Sequence, residues 1–106
     1  MNKNLVNLTP HAINVLLEGR KIEIPSSGIA RCSQTSKPVG DINGVPLTST
    51  SFGEVEGLPK PTRGTLFIVS RLIMSACPTR IDLLVPNDMV RDEEGKIIGC
   101  KSFAVN

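Results

Sequence analysis

The feature that most constrains this chain is the segment Thr-Leu-Phe-Ile-Val-Ser at residues 65–70, its most hydrophobic run. The run lacks the alternation of polar and apolar residues that a strand with one wet face shows. We therefore expect a strand that is covered on both faces and lies centrally in a sheet. Residues 71–76 suit two short turns of helix that end before Pro78.

Turn-forming residues divide the rest of the chain into short strands. Residues 12–24 turn at Gly19-Arg20 and predict a hairpin with one wet face. Asn43-Gly44 is typical of a two-residue hairpin turn, because both positions tolerate positive φ. Residues 89–100 predict a closing hairpin with an acidic tip, whereas residues 81–85 fit either a further strand or a segment that covers the sheet.

Two stretches rich in Pro and Gly, residues 36–50 and 54–64, interrupt these strands. Both predict long loops with a role beyond connecting two elements. Length and pattern together predict a single domain, residues 1–106, of the mainly β (α+β) class. Its expected architecture is a small, mostly antiparallel sheet or barrel with one short helix near residues 71–77.

Charge, aromatic content and cysteines limit the classes of partner. The net charge is +2, and three Phe are the aromatic residues of a chain without Trp or Tyr, so a nucleic-acid polymer is not expected as a partner. Three widely spaced Cys predict reduced thiols in a cytoplasmic protein. The chain shows neither a signal peptide nor an apolar run approaching the ~20 residues that span a bilayer, so no membrane association is expected.

Motifs that carry catalysis are missing from the sequence. His11 is the sole histidine, and no G-x-S-x-G segment presents a nucleophilic serine. The scattered Cys residues lack the short spacings of a zinc site. The glycine-rich phosphate-binding motifs G-x-x-x-x-G-K-[ST] and G-x-G-x-x-G are both missing from the sequence. We therefore expect a protein without enzymatic activity, metal or cofactor.

Two constellations of polar residues remain as candidate sites. Glu54 and Glu56 would lie on one face of a strand, where they suit either acid/base chemistry with His11 or a solvated strand edge. The second constellation follows the hydrophobic strand, at the kind of strand end where ligands gather. It comprises Ser70, Arg71, Arg80, Asp82 and Asn87, with Arg31 from an earlier strand. Its arginines suit phosphate or carboxylate, or else Arg80 and Asp82 form a surface ion pair.

Several segments of the chain carry a resemblance to a known group of proteins. They are NLTPHAIN (residues 7–14), FGEVEGLP (52–59), GTLFIVS (64–70), R-x-D-L-x-x-P-N (80–87) and VRDEEGKIIGC (90–100). Together they resemble a group of small, largely uncharacterised proteins of bacteria and their phages and prophages. The likeness is weakest between residues 33 and 51.

This resemblance implies a phage or prophage protein that counters host defence. The expected function is to bind and sequester a nucleotide-derived immune second messenger, as a homo-oligomer in the host cytoplasm, without converting its small anionic ligand. One alternative is a protein-interaction module that inhibits a host enzyme, and another is a small hydrolase that uses Glu54, Glu56 and His11. The predicted ligand-binding residues are His11, Arg31, Phe52, Glu54, Ser70, Arg71, Arg80, Asp82 and Asn87.

Overall fold

The computed structural model describes residues 3–106, and within that range it contains eight strands and one helix. The elements in chain order are β1 (Asn4–Asn7), β2 (Ile13–Leu17), β3 (Arg20–Ile24), β4 (Arg31–Ile42), β5 (Val45–Glu56), β6 (Thr65–Ile68), α1 (Arg71–Ala76), β7 (Leu83–Arg91) and β8 (Ile97–Ala104). No helix in this range is long and apolar enough to cross a membrane.

Six strands form one curled sheet in the order β1-β6-β7-β8-β2-β3, and β4 and β5 form a separate two-stranded sheet. The larger sheet curls into a half-barrel, and an isolated bridge between Asn7 and Ser26 links β1 to the segment that follows β3. Most paired residues are antiparallel, although β1 with β6, β6 with β7 and β2 with β8 run parallel. The predicted mainly β class with one short helix is confirmed.

The strand β6 is covered on both faces, as its unbroken hydrophobicity predicts. It lies between β1 and β7, and its successive residues Phe67 and Ile68 enter different apolar clusters. The helix-side core consists of Leu8, Ala30, Phe67, Val69, Ile73, Met74, Leu83 and Val85. The opposite core consists of Val15, Ile24, Ile68, Leu84 and Cys100.

The helix α1 has local start and stop signals that the sequence carries. The side chain of Ser70 caps its amino end by accepting a hydrogen bond from the Ile73 N–H. The helix ends at Ala76, with Cys77 as its C-cap, and so stops before Pro78 as predicted. Ile73 and Met74 bury its inner face in the helix-side core.

The region from 36 to 50 differs from the expected loop. Its Asn43-Gly44 turn joins two twelve-residue strands, β4 and β5, instead of two short ones. Only the root of this hairpin is attached to the body, where Cys32 and Val55 pack against the helix-side core. We call the remainder, residues 33–54, the arm. The loop prediction is wrong here because a bulge between Pro38 and Gly40 lets the strands pair past these two residues.

The strand β7 also extends further than the sequence indicates. Residues 81–85 were expected to close at Pro86-Asn87, but β7 continues through Pro86, which pairs with Phe103 of β8. The predicted closing hairpin is confirmed, with β7 and β8 as its antiparallel strands. The second predicted loop is confirmed for residues 57–64, which lie between β5 and β6.

Candidate functional site

Two adjoining depressions form one groove on the body of the protein. Their volumes are about 570 Å³ and about 360 Å³, and both are lined by His11, Ala12, Ile13, Pro86 and Met89. The larger depression is lined further by Asn14, Lys96, Ile97, Ile98, Gly99 and Cys100. The smaller is lined further by Thr9, Val69, Ser70, Arg71 and Val85. The groove therefore lies between the segment that precedes β2 and the strands β7 and β8.

The loop that carries His11 is held by a buried side chain. Asn7, which is fully buried, donates hydrogen bonds from Nδ2 to the carbonyl oxygens of His11 at 2.9 Å and Ile24 at 3.0 Å. Its Oδ1 accepts from the backbone N–H of Thr9 at 3.0 Å and from the Thr9 hydroxyl at 2.6 Å. One amide thus fixes the turn after β1 and the position of His11 in the groove. The sequence analysis did not single out Asn7, although a polar residue between the apolar Val6 and Leu8 is a signal for such a role.

Four of the predicted site residues, His11, Ser70, Arg71 and Asn87, come together around the smaller depression. His11 follows β1 and Ser70 and Arg71 follow β6, so the carboxyl ends of two parallel neighbouring strands meet there. The guanidinium of Arg71 donates to Oδ1 of Asn87 at 3.2 Å. The Ser70 hydroxyl accepts the capping hydrogen bond of α1, so it helps to place Arg71.

The groove is cationic at both ends and apolar between them. His11, Arg71 and Lys96 are its basic side chains, and no Asp or Glu of residues 3–106 lines it. Neither Arg71 nor Lys96 forms an ion pair, since the described residues contain only the pair of Arg80 with Asp82. The apolar side chains Ile13, Met89, Ile97 and Ile98 form much of the remaining wall.

An unpaired acceptor also lies in the wall of the larger depression. The side-chain oxygen of Asn14 is buried, and it has no hydrogen-bond partner among the described residues. Burying an unpaired carbonyl oxygen costs roughly 1–3 kcal/mol. Because this oxygen is itself buried, the cost falls on the stability of the fold.

Arg80 and Asp82 lie outside the groove and engage each other. Arg80 donates from Nε and from one terminal nitrogen to the two oxygens of Asp82, at 2.8 and 2.7 Å, and also reaches the Pro59 carbonyl oxygen at 3.0 Å. These hydrogen bonds lower the pKa of Asp82 and raise the pKa of Arg80, against an opposing effect of burial on each. The ion-pair alternative therefore describes their arrangement.

The remaining predicted site residues belong to the hairpin. Arg31 pairs with Glu56 in the β4–β5 ladder, and Phe52 and Glu54 lie on the arm. None of these four residues lines the groove. The hydrolase alternative requires His11, Glu54 and Glu56 to lie in one depression. The structure does not bring them together.

The groove combines fixed positive charge with an apolar middle, an arrangement that suits a small anion carrying a flat or apolar moiety. The described residues contain no cluster of three His, Cys, Asp or Glu side chains that could hold a metal. Cys100 lines the larger depression and has a free thiol. Burial raises the pKa of this thiol, which favours the unreactive protonated form. Comparisons of the chain with protein-family models, curated proteins and solved structures find no match.

Proposed function

We propose that this protein binds and sequesters a nucleotide-derived immune second messenger in the groove, without converting it. The observation that carries this proposal is the set of three basic side chains, His11, Arg71 and Lys96, along a groove that no carboxylate of residues 3–106 lines. Arg71 and Lys96 would each attract a negatively charged ligand, and no carboxylate of residues 3–106 lines the groove itself. The resemblance to phage and prophage proteins supports an immune messenger as the biological source of that ligand.

Dimensions and wall chemistry support a ligand of nucleotide size. Small-molecule sites commonly occupy about 300–1,000 Å³, and the two depressions of the groove lie within this range at about 570 and 360 Å³. No Phe of the described residues lines the groove, so a base would pack against Met89, Ile97 and Ile98 instead of an aromatic ring.

Each polar group in the groove has a distinct part in the proposed complex. Arg71, held by Asn87, offers a planar guanidinium for bidentate contact with a phosphate. Lys96 supplies a point charge in the larger depression, where a second phosphate would lie. No carboxylate of residues 3–106 lines the groove to act as a base or to orient His11, which supports capture over hydrolysis.

Titration calorimetry with cyclic dinucleotides, cyclic trinucleotides and cyclic ADP-ribose isomers tests this function. We expect one member of the panel to bind, and Arg71→Ala to weaken binding by about tenfold or more, since a charge-assisted hydrogen bond contributes about 1.5–3 kcal/mol. Arg63→Ala is the matched control, because Arg63 is exposed outside the groove. If nothing in the panel binds more tightly than about 1 mM, the capture proposal fails.

Recovery of the bound ligand separates capture from conversion. After incubation with excess protein and heat denaturation, a captured messenger is released chemically intact. The hydrolase alternative instead requires a cleaved product, and this product should no longer form with the double variant Glu54→Gln/Glu56→Gln. An inhibitor of a host enzyme would instead recruit a stoichiometric host protein and bind none of the nucleotides.

A further inference from the structure

The molecule exposes much more surface than its mass requires. Its accessible area is 7630 Å², whereas a compact monomer of 11.4 kDa exposes about 5,800 Å². Its radius of gyration is 16.6 Å, against about 13 Å for a compact domain of this length. The excess of roughly 1,800 Å² exceeds the ~800 Å² that each partner contributes to a protein–protein interface of standard size.

The arm accounts for this excess. From Ser33 to Glu54 every residue is exposed, so both faces of the β4–β5 hairpin meet solvent along that length. A two-stranded hairpin without a third strand or a covering element is marginally stable in water. The arm is therefore a two-stranded sheet without a third strand or a covering element among the described residues.

The two edges of the arm differ in their capacity to accept another strand. The edge of β4 contains Lys37, Pro38 and the bulge before Gly40, which are all features that obstruct strand addition. The edge of β5 lies in an uncharged segment, residues 42–53, and after Pro46 it has neither proline nor glycine until Gly53. The open edge of the arm is therefore that of β5.

Register identifies the backbone groups on this open edge. Ile42 and Val45 flank a two-residue turn and so form a hydrogen-bonded pair. Hydrogen-bonded and non-hydrogen-bonded pairs alternate from there along an antiparallel ladder. The N–H and C=O groups of Thr48, Thr50 and Phe52 consequently point away from β4, toward the position of an additional strand.

The end of the arm also carries an apolar face. Cross-strand partners share a face, and so do residues two apart on one strand, which places Ile42, Val45 and Leu47 on the same side. Val39 lies in the bulge beside Gly40, the partner of Leu47. These four side chains are 42–60% exposed. Such a cluster at the tip of a projecting hairpin is suited to burial against another chain.

We propose that β5 pairs antiparallel with β5 of a second copy across a twofold axis, forming the four-stranded sheet β4-β5-β5-β4. A twofold axis brings the segment 45–53 against itself, and because that segment is uncharged, the pairing creates no like-charge contact. Lys37 remains on the outer strand, away from the axis. Each tip then points toward the root of the other arm, so its apolar face reaches the body of the second copy. This interface is independent of ligand capture in the groove.

Size-exclusion chromatography with light scattering tests the proposal over a range of protein concentrations. Detection is by refractive index, since the chain contains no Trp or Tyr. We expect a mass of twice 11.4 kDa for the native protein. Thr50→Pro removes an outward-pointing N–H at the centre of the open edge and leaves the hairpin's own hydrogen bonds in place, so it should weaken dimerisation by about tenfold or more.

The cross-strand partner of Thr50 provides the matched control. Ser36→Pro makes the same change on the β4 edge, and this variant should remain dimeric. A native protein that is monomeric at every concentration overturns the proposal, as does equal loss of dimer in both proline variants. A dimer that Thr50→Pro leaves intact overturns it too.

Charge variants provide a second test that does not depend on proline being tolerated. Thr50→Lys and Thr50→Glu should each dissociate the dimer, because two like charges would lie close to the axis. Mixing the two variants should restore a species of dimer mass. Failure of the mixture to reassociate, with both variants folded by circular dichroism, contradicts a twofold β5 interface.

Discussion

The body and the arm of this protein are both β-structure, yet they are stabilised in different ways. In the body, β6 and the first three residues of β7, Leu83–Val85, are buried between two apolar cores, so side-chain packing determines their stability. In the arm, the backbone ladder and the turn at Asn43-Gly44 hold strands whose side chains remain in solvent. The difference indicates that a turn signal and cross-strand pairing can define a hairpin, whereas the apolar pattern of β6 is what places a strand in the core. Four substitutions test this comparison.

Ile68→Ala in the body should have the largest effect. Ile68 is completely buried in the opposite core, and truncating such a side chain costs about 2–5 kcal/mol, because the space it leaves cannot fully collapse. The free energy of unfolding measured in urea checks this value. Ile81→Ala is the control on the body surface, since Ile81 is 89% exposed. Equal effects of the two substitutions would contradict the assignment of the core.

Asn7→Asp should destabilise the body by about 3 kcal/mol, because it removes two donated hydrogen bonds and places a buried carboxylate against two carbonyl oxygens. Asn4→Asp on the same strand is the control, since Asn4 is exposed. Thermal unfolding of both variants by circular dichroism measures the difference. Ligand binding by Asn7→Asp should weaken as well, because the loop that carries His11 loses its support. A variant as stable as the native chain would refute the role of Asn7.

Asp82→Asn should lower stability at neutral pH by about 2 kcal/mol, since it removes the charge-assisted hydrogen bonds to Arg80. The pKa of Asp82 is lowered in the folded state by those bonds. Its contribution is therefore complete above the ordinary pKa of an aspartic acid and is lost as the pH falls through the lowered value.

The pH dependence of unfolding provides the check on this pair. The stability difference between native protein and Asp82→Asn should be constant near neutrality and should close in acid. Asp41→Asn on the arm is the control, because Asp41 is exposed and belongs to no ion pair in the described part of the chain. A difference that persists unchanged at the lowest pH would mean that the effect does not depend on the charge of Asp82.

Ile42→Ala at the tip of the arm should have the smallest effect, below about 0.5 kcal/mol, when it is measured at a concentration where the chain is monomeric. Ile42 is 59% exposed, so its truncation leaves no cavity. The same urea titration used for Ile68→Ala measures it. A cost comparable to that of a buried isoleucine would show that the arm folds back onto the body in solution.

Local signals allowed much of the body to be predicted from the sequence. The unbroken hydrophobic run predicted the covered strand β6. In the arm, Asn43-Gly44 correctly predicted the turn between β4 and β5. The length of the arm was missed because Pro38 and Pro46 suggested a loop. Both lie at ladder positions whose backbone nitrogens point away from the partner strand, where proline costs no hydrogen bond.

The candidate site was predictable only where it depends on strand ends. His11, Ser70 and Arg71 meet because each follows a parallel strand of the same sheet, which a sequence pattern can anticipate. Lys96 and Met89 were not anticipated, because their place in the groove depends on the register of β7 with β8 and on the approach of β2. Arg80 was expected beside a ligand, but it has a carboxylate partner two residues away in the chain. Such a short-range pair forms regardless of the wider fold.

The parallel pairings of the body have a consequence for the order in which the chain folds. Thr65 pairs with Asn4 and Cys100 pairs with Val15. The strands β1 and β2 therefore cannot pair with β6 and β8 until those residues, much later in the chain, have been synthesised. The hairpin of β4 and β5 needs only its own neighbours, and such structures form in about 1–10 μs. During translation the projecting hairpin can thus be complete while β1 still lacks β6. A nascent chain would display its open strand edge to other nascent chains before its body has closed.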